Sequence, residues 1–220
     1  MSSLDEFPLF RSDVIEALRQ PLESGEVTIT RGDDSATYPA RGLVVMACNP
    51  CPCGNFHPRH DRNRCECLER ARKHYRARIT GPITDRVDIT RQVEPASPHE
   101  RRDAFAAHEP SDVVRSRVAE ARERQHRRYA DRSWRLNAQA PGPVLQREWP
   151  LAAELQQVLD GEIYAGRLTR RGATRVHRLA WTIADLDRVE GPGFAQLDAA
   201  LRLRSGEPLL DASLRRRAAG

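Results

Sequence analysis

Leu43-Val44-Val45-Met46-Ala47-Cys48-Asn49-Pro50-Cys51-Pro52-Cys53-Gly54 is the stretch on which the fold turns. Its first five residues are an unbroken apolar run, too short for an ordinary helix and well sized for a strand buried on both faces, as in a parallel α/β sheet. The run stops at Asn49-Pro50, because proline removes a ladder donor and biases the residue before it toward turn or extended geometry. Beyond it, residues 50–67 hold four cysteines and little hydrophobicity. Something other than an apolar core has to order that loop.

Upstream of this strand, Glu26–Arg31 alternates apolar and polar residues, Gly32-Asp33-Asp34 supplies a turn, and Ser35–Tyr38 returns, which predicts a β-hairpin. Before the hairpin, Ser12 caps a helix with Val14, Ile15, Ala17 and Leu18 on its apolar stripe; Pro21 kinks or ends it and Gly25 closes it. Downstream, residues 66–78 predict a basic helix stopped by Gly81-Pro82, and the alternation of Val87–Val93 predicts another strand. The segment Glu94–Pro110, rich in Pro, Ala and charge, predicts a connection. Helices dominate afterward, over Asp112–Tyr129 behind a Ser111 cap, Leu151–Tyr164, Thr169–Leu186 and Gly193–Leu203, with a frayed tail after Ser205. The absence of an internal repeat excludes a solenoid.

Composition narrows the class. Of 220 residues, 39% are apolar, 30% charged and 5% aromatic, a balance that favours solvated helices over an all-β core and is long enough to need no staples. The chain has no run of the roughly 18 to 20 apolar residues a membrane span requires, and MSSLDEFPLF lacks a basic start and an apolar signal core. The expectation is a cytoplasmic chain with no membrane partner. The net charge of +5 suits polyanions, although Lys73 is the single lysine among 36 cationic residues, and such arginine bias reports genomic base composition equally well. Five cysteines without a secretion signal argue for reduced thiols, some of them metal ligands, rather than disulfides.

Read in order, Leu4-Asp5-Glu6 with its short helix, the hairpin, the strand ending in N-P-C-P-C-G, then G-P-I-T-D-R-V-D-I and L-T-R-R-G-A-T-R-V-H-R-L-A-W-T-I-A-D-L form a recognisable series. It resembles the C-terminal half of the ComM (YifB) family of magnesium-chelatase-related AAA+ ATPases, from residue 4 to about residue 204. The resemblance implies an α/β plus all-α chain, the C-terminal part of an AAA+ P-loop ATPase module. Residues 1–95 would hold an incomplete parallel sheet with a β-hairpin insert, 96–206 a helical lid and 207–220 a flexible tail. It further implies a homo-oligomeric ring with ATP and Mg²⁺ between subunits, acting on branched or single-stranded DNA in uptake and recombination.

Asp5 and Glu6 resemble the Walker B pair, one carboxylate supporting Mg²⁺ and the other orienting the attacking water. Elsewhere, two acids ahead of a helix would simply serve its macrodipole. Asn49 resembles sensor 1, an amide at a strand tip aimed at the γ-phosphate, where a turn residue before proline is the alternative. Arg86 resembles the arginine finger, set against a local ion pair with Asp85 or Asp88. Arg171 matches sensor 2, with Arg170 beside it leaving the register open by one. Cys51, Cys53, Cys65 and Cys67 are candidate ligands of one Zn²⁺, with His57 and His60 in reserve, against unmetallated thiols, since C-x-C bites tighter than the usual finger spacing. Cys48 is expected to pack as a small buried residue.

Thr28, Thr30 and Arg31 of the hairpin are candidate DNA contacts, or else a solvated sheet edge, and the arginines of 115–128 are interleaved with Glu120 and Glu123 that can pair with them. No G-x-x-x-x-G-K-[ST] occurs in the 220 residues, so the amide cradle and lysine for the phosphates are not here. The expectation is a truncated chain that hydrolyses little ATP alone. Two rivals stand beside it, a zinc-stabilised nonenzymatic DNA-binding or adaptor module and one half of a split ATPase. Porphyrin chelatase activity does not follow from shared ancestry.

Overall fold

Pro21, Gly25 and Gly32 partition the first third of the chain, and the consequences are visible in a computed structural model that describes residues 2–58, 60–79, 83–93 and 109–210. The molecule is mixed α/β and divides into two compact units, Met1–Val87 and Asp88–Gly220.

In the first unit, β1 (Ser2–Leu4) runs parallel to β4 (Val44–Met46), with Ser2 opposite Val44 and Leu4 opposite Met46. Between them the chain forms α1 (Ser12–Ala17) and α2 (Arg19–Ser24). Pro21 falls in the first turn of α2, where a missing N–H goes unneeded, so the expected helix becomes two. Gly25 ends α2 at φ 71°, donating its N–H to the Pro21 carbonyl at 3.0 Å, and a Cβ there would lie 2.6 Å from Arg41 Cγ. The hairpin pairs β2 (Glu26–Arg31) with β3 (Asp34–Pro39), and Gly32 at φ 61° supplies the left-handed first position its two-residue turn needs. Its faces differ. Val27 and Ile29 oppose Tyr38 and Ala36 on one side, while on the other the Thr28 and Thr37 hydroxyls meet at 3.0 Å. The basic helix follows as α3 (Glu69–Ile79), and Thr84–Arg86 form a 3-10 turn.

Two local expectations change. The apolar run does not sit buried on both faces: Leu43 is 63% and Val45 42% exposed, because β1 is β4's one partner among the described residues. Val87–Val93 is irregular and not a strand; the Thr90 N–H reaches the Leu203 carbonyl at 2.8 Å, so its donor goes to a helix and not to a sheet. The Gly81-Pro82 stop, most of the 94–110 connection and the last ten residues of the tail lie outside the described residues.

The second unit holds α4 (Ser111–Arg128), α5 (Gly142–Glu148), α6 (Ala153–Tyr164), α7 (Arg170–Leu186) and α8 (Phe194–Ser205). Helix α7 is its axis. Ala173, Val176, Ala180 and Ile183 recur at helical spacing and bury against Leu155 and Leu159 of α6 and Leu197 of α8, each large side chain contributing about 1.5–3 kcal/mol. Its other flank carries a polar core. The fully buried Asp185 accepts hydrogen bonds from Arg128 at 2.9 Å and from the Asn137 amide at 2.9 Å, and Asn137 in turn accepts from the Tyr129 hydroxyl at 2.9 Å. Asp185, Asn137 and the Tyr129 hydroxyl are all partnered, the condition under which such a network fixes one packing.

Candidate functional site

The parallel pairing ends at Leu4 and Met46, and the residues singled out in the sequence follow at once. Asp5 and Glu6 leave β1 while Ala47 leaves β4, and two hydrogen bonds tie these exits, Ala47 N–H to Leu4 O at 2.9 Å and Phe7 N–H to Ala47 O at 3.3 Å. Glu6 adopts the left-handed region, φ 50° and ψ 33°, an unfavourable conformation for a side chain of this kind. Asp5 Oδ1 accepts the Glu6 N–H at 2.9 Å, and Phe7 and Pro8 anchor the turn by burial. Both carboxylates remain exposed, and that of Glu6 makes no hydrogen bond or ion pair among the described residues.

Asn49 lies three residues past β4, exposed, and a Cβ added at Gly54 (φ 78°) would lie 3.7 Å from the carbon of its side-chain amide. Beneath it sits Tyr75 of α3, buried, its hydroxyl pushed up by desolvation and by the Cys48 thiol, while a hydrogen bond with the Asn49 backbone opposes. Cys48 itself is exposed, not buried, and stands apart from the other cysteines. Arg86, at the end of its 3-10 turn, directs Nε to Glu23 of α2 at 3.1 Å with its side chain mostly covered. Arg171 belongs to the second unit, exposed in the first turn of α7, where the Thr169 hydroxyl caps the helix by accepting the Gly172 N–H at 3.0 Å. The neighbouring Arg175 is instead committed to Asp88.

The four cysteines converge. Cys51 and Cys53 sulfurs are 3.4 Å apart, Cys51 and Cys65 3.6 Å, Cys53 and Cys65 3.7 Å, and all four including Cys67 lie within 4.8 Å of one another. A tetrahedral zinc at ~2.3 Å from each sulfur would space them about 3.8 Å apart, so the donor set fits the ion in number, type and distance. Asn63 shapes the loop, its Oδ1 accepting the N–H of Cys65 at 3.2 Å and of His57 at 3.3 Å. The Asn55 N–H, then the Cys51 thiol, pull Cys53 down to about 6, while Cys67 is pushed up to about 12, chiefly by its hydrogen bond to Cys53. Neither His57 nor Cys48 joins the group. The loop docks on α3 through Phe56, with the guanidinium carbons of Arg72 and Arg76 at 5.2 and 4.3 Å from its ring centre.

Two contacts of this region had no local signal in the sequence, Glu23 facing Arg86 and Tyr75 beneath Asn49. Both join residues separated by tens of positions.

A parallel strand pair with acids and an amide at its carboxyl edge is joined in sequence to a helical unit. Residues 1–101 match the family described as magnesium chelatase, subunit ChlI, and residues 108–204 match magnesium chelatase, subunit ChlI C-terminal. The uncharacterized protein Rv2897c of Mycobacterium tuberculosis is 37% identical over 91% of this chain and 39% of its own length. YifB of Escherichia coli is 33% identical over 94% of this chain and 39% of its own length. Competence protein ComM of Haemophilus influenzae is 33% identical over 83% of this chain and 34% of its own length. The chain belongs to this magnesium-chelatase-related ComM/YifB family, and it spans about two fifths of the length of the curated relatives it matches. Among the described residues no helix is long and apolar enough to cross a membrane.

Proposed function

We propose that this chain carries the Walker B, sensor 1, arginine-finger and sensor 2 elements of a cytoplasmic AAA+ ATPase that couples ATP hydrolysis to DNA processing, with its cysteine loop held by zinc. The observation that carries the reading is the β1–β4 pairing, which sets Asp5 and Glu6 at one strand end and Asn49 beyond the next. Ligands of open α/β sheets sit at that carboxyl edge. The name Competence protein given to the Haemophilus relative supports competence as the process served, and DNA uptake, recombination and branch migration are proposed with it.

Magnesium bound with ATP would neutralise the charge of the phosphoryl group in transfer. Asp5 supports its ligand shell through Oδ2, since Oδ1 is engaged by the Glu6 N–H. Glu6, raised on a left-handed turn and unpaired among the described residues, orients the attacking water and receives its proton. The Asn49 amide donates to the γ-phosphate. Arg86 leaves Glu23 to reach the nucleotide of a neighbouring copy in a ring, where an arginine finger is worth roughly 10³ to 10⁵ in turnover. Arg171 grips a β- or γ-phosphate oxygen pair in fork geometry. Zinc on Cys51, Cys53, Cys65 and Cys67 would be a closed structural site, with no open position for chemistry.

The phosphate-cradling loop comes from polypeptide outside these 220 residues. The purified chain alone is therefore expected to release phosphate from ATP at background rate in a malachite-green assay. Mixed with a polypeptide bearing the G-x-x-x-x-G-K-[ST] half of a relative, it is expected to show magnesium-dependent turnover that Glu6→Gln abolishes. Tight ATP binding by the chain alone, or turnover of the mixture indifferent to Glu6→Gln, would refute the proposal.

A further inference from the structure

Positive charge gathers over the cysteine loop and α3. Residues 55–79, the cysteine loop and α3, contain eight of the 36 Lys and Arg side chains and three of the 31 Asp and Glu, a surplus of five equal to the net charge of the whole chain. The same surplus of five, eight Arg against three acids, recurs over residues 115–135. On α4, where arginines are also dense, Arg127 pairs with Glu123, Arg124 with Glu120 and Arg117 with Glu109. The loop and α3 differ. Arg62, Arg64 and Arg70 are exposed and form no ion pair among the described residues, and Lys73 has only the exposed i,i+4 partner Glu69, a contact of small worth.

These cations also stand on an ordered support. The loop is closed by Asn63 and gathered at its four cysteines, and Phe56 fastens it to α3 through Arg72 and Arg76. Positive groups held in place lose less entropy on meeting a phosphate than the same groups on a free tail. We infer that the cysteine loop and α3 together form a nucleic-acid backbone contact of this chain, with Arg62, Arg64, Arg70 and Lys73 meeting successive phosphates without reading base sequence. The inference deepens the DNA-processing reading, and on that reading it rests; it moves the principal contact away from the hairpin and away from α4. Charge complementarity names the partner: neighbouring exposed arginines without carboxylate partners among the described residues suit an evenly spaced polyanion.

The test is fluorescence anisotropy of the full zinc-loaded chain with a fluorescein-labelled 30-nucleotide single strand of mixed sequence, from 50 to 200 mM NaCl. The triple substitution Arg62→Gln, Arg64→Gln, Arg70→Gln is expected to lower affinity roughly a hundredfold near 0.1 M salt. It should also flatten the slope of log K against log salt by about two, the release of three counterions at about 0.7 each. Circular dichroism and zinc content, which these exposed changes should leave alone, verify folding. Arg31→Gln on the hairpin and Arg115→Gln with Arg122→Gln on α4 are expected to change affinity less than threefold. Three results would overturn the inference: wild-type affinity in the triple variant, a larger loss in the hairpin or α4 variants, or tighter binding to vesicles containing phosphatidylserine than to the oligonucleotide. Because ATP turnover in the mixture described above is measured without DNA, failure here leaves the nucleotide-site reading standing, and failure there leaves this contact intact.

Discussion

Removing metal from the cysteine loop should loosen that loop and leave the helical unit unchanged. Among the described residues from Cys51 to Cys67 only Cys51 is buried, so apolar burial contributes little to the order of the segment. A structural zinc, by contrast, contributes apparent binding energies of about 10–16 kcal/mol in small metal-folded peptides at neutral pH. The separations among the Cys51, Cys53 and Cys65 sulfurs, 3.4 to 3.7 Å, already approach the spacing a tetrahedral ion imposes, so little of that energy is diverted into rearrangement. Trypsin provides the assay, because Arg62 and Arg64 are exposed within the loop. On chelation, cleavage after these residues is expected to accelerate at least about a hundredfold, the change that loss of only ~2.7 kcal/mol of local stability produces. Cys65→Ser should reproduce this without chelator. One zinc per chain should be released, and the urea transition of the second unit should stay where it was, since the two units are compact separately. Unchanged cleavage after Arg64 on chelation, or substantially less than one zinc released per chain, would refute the reasoning.

Other consequences concern the helical unit and the turns. Arg128→Met strands the fully buried Asp185 carboxylate and should cost about 3–5 kcal/mol in urea unfolding followed by circular dichroism; a cost under about 1 kcal/mol would contradict the network described. His177 is buried, and desolvation holds its pKa below the ordinary value despite a 2.9 Å contact with the Trp149 carbonyl. The unfolded chain therefore takes up the proton first. Stability should fall as pH drops below about 6.5, by at most about 1.4 kcal/mol per pH unit, and His177→Gln should flatten that limb of the pH–stability curve. Thr169→Ala removes the cap of α7 and should cost about 1 kcal/mol by thermal denaturation. Gly25→Ala should lower the melting temperature of the first unit through a loss above about 1 kcal/mol, since the new Cβ meets Arg41 at 2.6 Å on a left-handed backbone.

The helices were largely legible in the sequence because their causes are local. Thr169 and the stripe Ala173, Val176, Ala180, Ile183 announce α7, and Gly25 announces the end of α2, in letters a few positions apart. Strand β1 had no such signature: Ser2-Ser3-Leu4 carries no alternation, and its pairing with Val44–Met46 is a tertiary event. Val87–Val93 shows the converse. Its alternation is genuine, yet the Thr90 donor finds a helix carbonyl, and periodicity cannot say which acceptor a donor will meet. Of the site, C-x-C pairs at 51–53 and 65–67 signalled a cluster, while the approach of Cys51 to Cys65 at 3.6 Å depended on Asn63 and Phe56, which no ligand spacing singles out. The engagement of Arg86 by Glu23 was invisible for the same reason.

The meeting of Leu4 with Met46 has a kinetic side. These residues stand 42 positions apart, and closing such a loop costs about 3 kcal/mol of chain entropy, comparable with the return from the few backbone hydrogen bonds at about 1 kcal/mol each. The hairpin between them is short-range and can form first. The corner that gathers Asp5, Glu6 and Asn49 therefore assembles late and opens early, and amide exchange at Phe7 and Ala47 should be among the fastest of the hydrogen-bonded positions in the first unit. The corner at the ends of β1 and β4 is the last thing the folding of this unit delivers.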